Sequence, residues 1–180
     1  MKYRNLKIRT KMTIAFATII VIFLGGFAAV TLGLRTINGS VNLIYSEGLI
    51  GVENLIEADR DAYQSRLAFC DSFMYLSTGD MGKIATFLAD VDTNLAQVND
   101  RFSIFRKIYA DSGKAPVPAF QVYDDNYAKL VLETGNLKAA VNSGNIDRAV
   151  GVYTGGYTSA FDAMRGAMDE LTNIMLEESA

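Results

Sequence analysis

From Met12 to Leu34 the chain runs for 23 residues without one charged side chain, and this stretch decides what the remainder can be. As a helix rising ~1.5 Å per residue it covers roughly 35 Å, enough to cross a hydrocarbon core of about 30 Å with some tilt. A secretory signal has a shorter apolar region, about 7–15 residues, and a small-residue cleavage site after it. The core helix of a soluble domain would carry a polar face. The run therefore reads as a span, residues 12–34, that stays in the bilayer. Lys2, Arg4, Lys7, Arg9 and Lys11 precede it and only Arg35 follows directly. Basic flanks stay cytoplasmic, so residues 1–11 form a cytoplasmic N-terminus. The bulk of the chain is expected in the periplasm, tethered to a bacterial inner membrane by this single N-terminal span.

The charge balance changes sign at the same place. Residues 1–35 hold six of the 17 basic residues and none of the 20 acidic ones, so everything beyond is acidic. An acidic domain is a poor partner for nucleic acid, whose recognition begins with clustered Lys and Arg. There is no histidine, which removes the commonest metal ligand and general base. Cys70 is the single cysteine, so no intrachain disulfide can form. No phosphate-binding glycine motif occurs. Adjacent carboxylates such as Asp124 and Asp125 would point about 100° apart on a helix and read as a solvated face. The sequence offers no catalytic residues, no metal site and no cofactor.

Residues 36–180 read as helices throughout. Both prolines, Pro116 and Pro118, fall in one short stretch. Three punctuation points carry glycine stops: Gly79 before Asp80, Gly113 before the prolines, and Gly144 before Asn145. They leave segments at about 36–78, 81–111, 118–143 and 146–178. Each has apolar residues three and four apart. The second runs Ile84, Leu88, Val91, Leu95, Val98, Phe102, Phe105, Tyr109. The third runs Phe120, Tyr123, Tyr127, Leu130, Thr134, Leu137, Val141. The fourth runs Val150, Tyr153, Tyr157, Phe161, Met164, Met168, Leu171, Met175. Short connections make consecutive helices antiparallel. The expected fold is all-α: an N-terminal transmembrane helix continuing into an antiparallel up-down-up-down four-helix bundle over residues 36–180. With no proline between span and bundle, the two are expected to form one rod of some 65 residues.

The first exterior segment has two stripes where one would serve. Val41, Ile44, Gly48, Gly51, Leu55, Ala58, Ala62, Ser65 and Phe69 form a seam rich in small residues. Tyr45, Leu49, Val52, Ile56, Asp59, Tyr63, Arg66, Cys70 and Phe73 form another. One belongs to the bundle core; the second calls for a partner, and a twin subunit in a symmetric homodimer is the simplest. Cys70, on the second stripe, reads as a small buried hydrophobe, with a disulfide to its twin as the minor alternative.

Three stretches resemble a known group. "NLKIRTKMTIAFATIIVIF", "LIYSEGLIGVENL" at 43–55 and "SGNIDRAVGVY" at 143–153 are similar to the front end of bacterial methyl-accepting chemotaxis receptors with a four-helix-bundle ligand-binding domain. The likeness covers essentially the whole chain. It implies a two-span receptor with a periplasmic bundle and a cytoplasmic signalling rod, reached here only through a second span and output module that this chain lacks. The same module also fronts some histidine kinases and cyclases, and a membrane-tethered protein-interaction bundle is a further alternative.

A ligand site is expected where charges interrupt the second stripe. Arg60 and Arg66 suit the carboxylate of a small acid, since a guanidinium fork matches it in two bonds; the competing account gives Asp59 and Arg66, two turns apart, structural partners across the dimer. Tyr63 lies between them. The resemblance implies that groups early in the fourth helix, here Tyr153, Thr154 and Tyr157, complete the contacts at the subunit boundary. The two arginines, six apart, depart from the three-arginine pattern of aspartate-sensing members. Gly155 and Gly156 sit mid-helix beside these tyrosines, where a bend or a close approach is expected.

Overall fold

A computed structural model describes residues 7–178, and every described element is helical. Lys2 and Arg4, the Ile44 side chain, and the last residues of the chain lie outside what is described. The chain divides into two compact units, which meet in sequence between Leu43 and Ile44.

The first unit contains α1, Ile8–Leu43. Its stretch Ile8–Gly39 is long and apolar enough to cross a membrane, with a mean hydropathy of 2.4 in its most apolar 18-residue window and none of that window buried. Its threonines are compatible with an apolar surround. Thr13, Thr18 and Thr31 each donate the hydroxyl to the carbonyl four residues earlier, at 3.0, 2.9 and 2.8 Å. A hydroxyl satisfied by its own helix does not need water.

The second unit is a bundle of four helices. The first opens with a π-helical segment, Ile44–Leu49, and continues as α2, Ile50–Leu76. Then come α3, Met81–Asp111, and α4, Pro118–Asn142. The fourth is α5, Ile146–Val152, a π-helical segment, Tyr153–Tyr157, and α6, Thr158–Glu178. Neighbours in sequence run antiparallel. The turns follow the local chemistry. Gly79, Gly113 and Gly144 have φ of 70°, 77° and 69°, the left-handed conformation that closes a helix. Asp80 and Asn145 then cap the next helix, their side-chain oxygens accepting from the backbone N–H of Lys83 at 3.0 Å and Arg148 at 2.9 Å. Pro118 takes the first position of α4, where its missing N–H costs nothing. Gly144→Ala should cost about 1–2 kcal/mol, the penalty of a Cβ in left-handed backbone; thermal unfolding of the chain in detergent measures it.

The core is built from the expected seams. All eight seam positions of α3 are buried. On α4 the seam is buried except at Tyr127, which is partly covered and donates its hydroxyl to the Leu95 carbonyl at 3.0 Å. The small-residue seam of α2, from Gly51 through Ala58 and Ala62 to Phe69, faces its own core, so the close approach it permits is within the chain. A Cβ on Gly51 would lie 3.3 Å from the Met175 methyl, and Ser65 reaches the Val91 carbonyl at 3.2 Å.

In the fourth helix one expectation fails. Val150 is about half exposed and Ala149 is buried in its place. The π-helical segment is the reason: it inserts one residue between α5 and α6, so the phase read backwards from Phe161 is off by one. Its kink sits at Gly155, with φ −99° and ψ −107°, at the glycine pair where a bend was expected.

Candidate ligand-binding site

Along the contact between α2 and the fourth helix, two series of side chains interleave in opposite directions. Tyr153, Tyr157, Phe161 and Arg165 follow one another at intervals of four. Tyr153 stacks on Tyr157 at 5.5 Å between centroids, and Tyr157 on Phe161 at 6.1 Å. From α2, Phe73 meets Tyr153 edge-on at 5.6 Å, Phe69 meets Tyr157 at 5.4 Å, and Tyr63 meets Phe161 at 5.5 Å. Edge-to-face rings of this kind add about 0.5–1.5 kcal/mol per pair beyond burial.

Two arginines are inserted into this ladder. Arg66 donates through Nε to the Tyr153 hydroxyl at 2.9 Å, and its guanidinium carbon lies 4.8 Å from the Phe161 ring centroid. The Tyr153 hydroxyl also lies 3.3 Å from Cys70 Sγ. Desolvation raises the Tyr153 pKa, although Arg66 pulls it the other way, so the phenol stays neutral at working pH. The Tyr153 hydroxyl, and to a lesser extent Asp162, in turn raise the Arg66 pKa against the opposing effect of partial burial. Asp162 approaches Arg66 only to 3.7 Å, with its side chain 62% exposed. Arg165 grips Asp59 with both forks, one of these bonds being 3.1 Å, and rests 4.3 Å above the Tyr63 ring.

The six expected residues do not all meet here. Arg66, Tyr153 and Tyr157 come together, with Tyr63 beside them through Phe161. Tyr157 is buried, so it acts as a packed support. Thr154 is exposed and turns its hydroxyl back to the Val150 carbonyl at 2.8 Å. Arg60 faces α3. It joins Glu57 at 2.6 Å and Asp61 at 3.0 Å, and Arg101 of α3 closes this cluster by bonding Asp61 at 2.5 Å and Glu57 at 3.0 Å. Asp59 thus finds its partner, Arg165, and Arg66 finds Tyr153 within the same chain. Arg165, Asp61 and Arg101 had not been singled out from the sequence. Arg165 was within reach, since it continues the four-residue series of aromatic positions.

The second stripe of α2 is engaged by the fourth helix at Asp59, Arg66, Cys70 and Phe73 and is largely exposed elsewhere. Leu49, Ile56 and Tyr63 are 59%, 59% and 47% exposed, with Leu67 and Met74 beside the same stripe also exposed.

Residues 5–180 match a family model described as a four helix bundle sensory module for signal transduction. No curated protein and no solved structure matches the chain.

Proposed function

Because this chain belongs to the chemoreceptor-type four-helix-bundle sensory modules for signal transduction, we propose that it is the ligand-sensing part of a bacterial chemotaxis receptor, with its bundle on the periplasmic side. The family is a signalling one rather than a catalytic one. A span-forming helix at residues 8–39 fits a membrane receptor, and the basic N-terminus favours the periplasmic orientation of the bundle.

The ligand in this reading is a small carboxylate received by Arg66, and one observation carries it. The guanidinium is held in place by two residues, the hydroxyl and ring of Tyr153 and the ring of Phe161, yet its nearest anion, Asp162, stands off at 3.7 Å. One hydrogen bond takes one of five donors, so a bidentate face is left for an incoming acid. The exposed stripe beginning at Leu49 supports a homodimer about α2, which would place Arg66 near the subunit boundary. Signalling would then be a small shift of the fourth helix against α2, since the ligand's contacts join these two.

The test is a thermal-shift screen of the full chain in nanodiscs against small mono- and dicarboxylates. One acid should raise the melting temperature by mass action, roughly 2.7 kcal/mol of added stability at a hundredfold excess over Kd. Arg66→Gln should abolish the shift with melting of the free chain little changed, and Arg60→Gln should leave it intact. A folded chain indifferent to every acid, or a response surviving Arg66→Gln, sinks the assignment. Since Arg66 stays charged and Tyr153 neutral, affinity for a fully ionised acid should be flat between about pH 6 and 9.

A further inference from the structure

The two glycines of the fourth helix have separate tasks. Gly155 carries the kink of the π-helical segment. Gly156 admits a neighbour. A Cβ on Gly156 would lie 2.7 Å from both Cδ and Oε1 of Glu133 and 3.2 Å from its Cγ, closer than real Cβ atoms come to such groups. The Glu133 carboxyl of α4 is therefore seated against the helix backbone, in space that any other residue at 156 would fill. Asn136, one turn further along α4, donates to Glu133 Oε2 at 3.2 Å and steadies it there.

The same turn is held from both neighbouring helices and from within. On the α2 side Tyr153 meets Arg66, Cys70 and Phe73. On the α4 side Gly156 meets Glu133. Inside the turn, the Tyr153 carbonyl accepts both the hydroxyl of Thr158, at 2.6 Å, and its backbone N–H, five residues on instead of four. Single π-helical turns inside α-helices are uncommon and cluster at functional sites. Thr158 fixes which carbonyl opens this one. Glu133 fixes where it lies, because the turn cannot slide along or rotate against α4 without displacing the carboxyl.

We propose that Glu133 is a positioning residue for the Arg66 site: seated at Gly156, it fixes the π-helical turn in the register that brings the Tyr153 hydroxyl to Arg66. It acts through the backbone of the turn, three residues on from Tyr153 and on the opposite side from α2. The length of the side chain matters to this role. Aspartate falls one carbon short of the seat, whereas glutamine fills it as glutamate does. That the site receives a carboxylate rests on the reading above; that Glu133 holds Tyr153 in place does not.

Cys70 supplies a reporter that needs no ligand. It is the single cysteine of the chain, half-buried, with Sγ 3.3 Å from the Tyr153 hydroxyl. Its rate of alkylation by iodoacetamide, in the full chain in nanodiscs, follows access to the sulfur and the groups around it. Tyr153→Ala uncovers the thiol and should speed the reaction severalfold. Glu133→Ala should move the rate most of the way to that value. Gly156→Ala should do the same, because its Cβ displaces the carboxyl; alanine is the better helix former, so this variant should stay folded. Combined, the two should add nothing further, since they break one contact. Glu133→Gln should react like the native chain. A Glu133→Ala chain that melts earlier but reacts at the native rate would make Glu133 a packing residue only and overturn the proposal. So would Glu133→Gln reacting as fast as Glu133→Ala, additive effects of Glu133→Ala and Gly156→Ala, or a Tyr153→Ala thiol no faster than the native one. No carboxylate enters the assay, so its outcome and that of the acid screen are independent.

Discussion

Arg101→Ala is expected to destabilise the bundle by about 2–4 kcal/mol, because it strips the cross-helix partner from a carboxylate with no access to water. Asp61 is fully buried, and its bond from Arg101 at 2.5 Å is what ties it to α3. Arg60 remains within reach from the same helix, but its side chain is about half exposed and cannot replace the link between helices. The informative comparison is the double replacement Asp61→Leu with Arg101→Met. Removing both charges removes the desolvation penalty with the attraction, so the double variant should recover most or all of the loss. Denaturant unfolding of the chain in detergent measures each. A double variant as unstable as Arg101→Ala would mean that packing around these residues, rather than charge pairing, sets the cost.

Phe161→Ala should lose about 3–5 kcal/mol, the range for deleting a large buried ring. Phe161 is 1% exposed, contacts Tyr157 and Tyr63, and underlies Arg66 at 4.8 Å. The variant should therefore also release the Arg66 side chain, since one of the two surfaces that hold its guanidinium is gone. Phe161→Leu separates these consequences: it refills most of the volume but supplies no aromatic face. Its melting temperature should fall much less than that of Phe161→Ala, whereas its coupling to Arg66→Gln in a double-mutant cycle should be as weak as the alanine's. If Phe161→Leu couples to Arg66 like the native ring, the cation–π contact contributes nothing measurable.

These two sites differ in how far the sequence foretold them. The α3 seam was legible in full because an unbroken 3-4 repeat from Ile84 to Tyr109 admits one helical phase, and all eight of its positions are buried. The turns were legible because Gly79, Gly113 and Gly144 occupy conformations that few other residues take. Val150 was misplaced because a π-helical insertion cannot be read from spacing, although the glycine pair marked its location. Charged side chains announced that they needed partners without saying which. Asp59 finds Arg165, 106 positions away, and Asp61 finds Arg101, 40 positions away, and no local pattern encodes either pairing. Arg66 and Tyr153 were both anticipated; that they touch depends on the register between α2 and the fourth helix. Thr154 shows the converse limit, since its place beside two tyrosines says nothing of a hydroxyl that satisfies itself on Val150.

The inserted residue between Val152 and Thr158 has a further geometric consequence. One residue of an α-helix corresponds to about 100° of rotation and ~1.5 Å of travel. Ala149 above the kink and the Phe161–Met175 row below it both point inward only because that offset is present. A version of this helix shortened by Gly155 could keep one end correctly phased against its neighbours, but the other would present its polar side to the core.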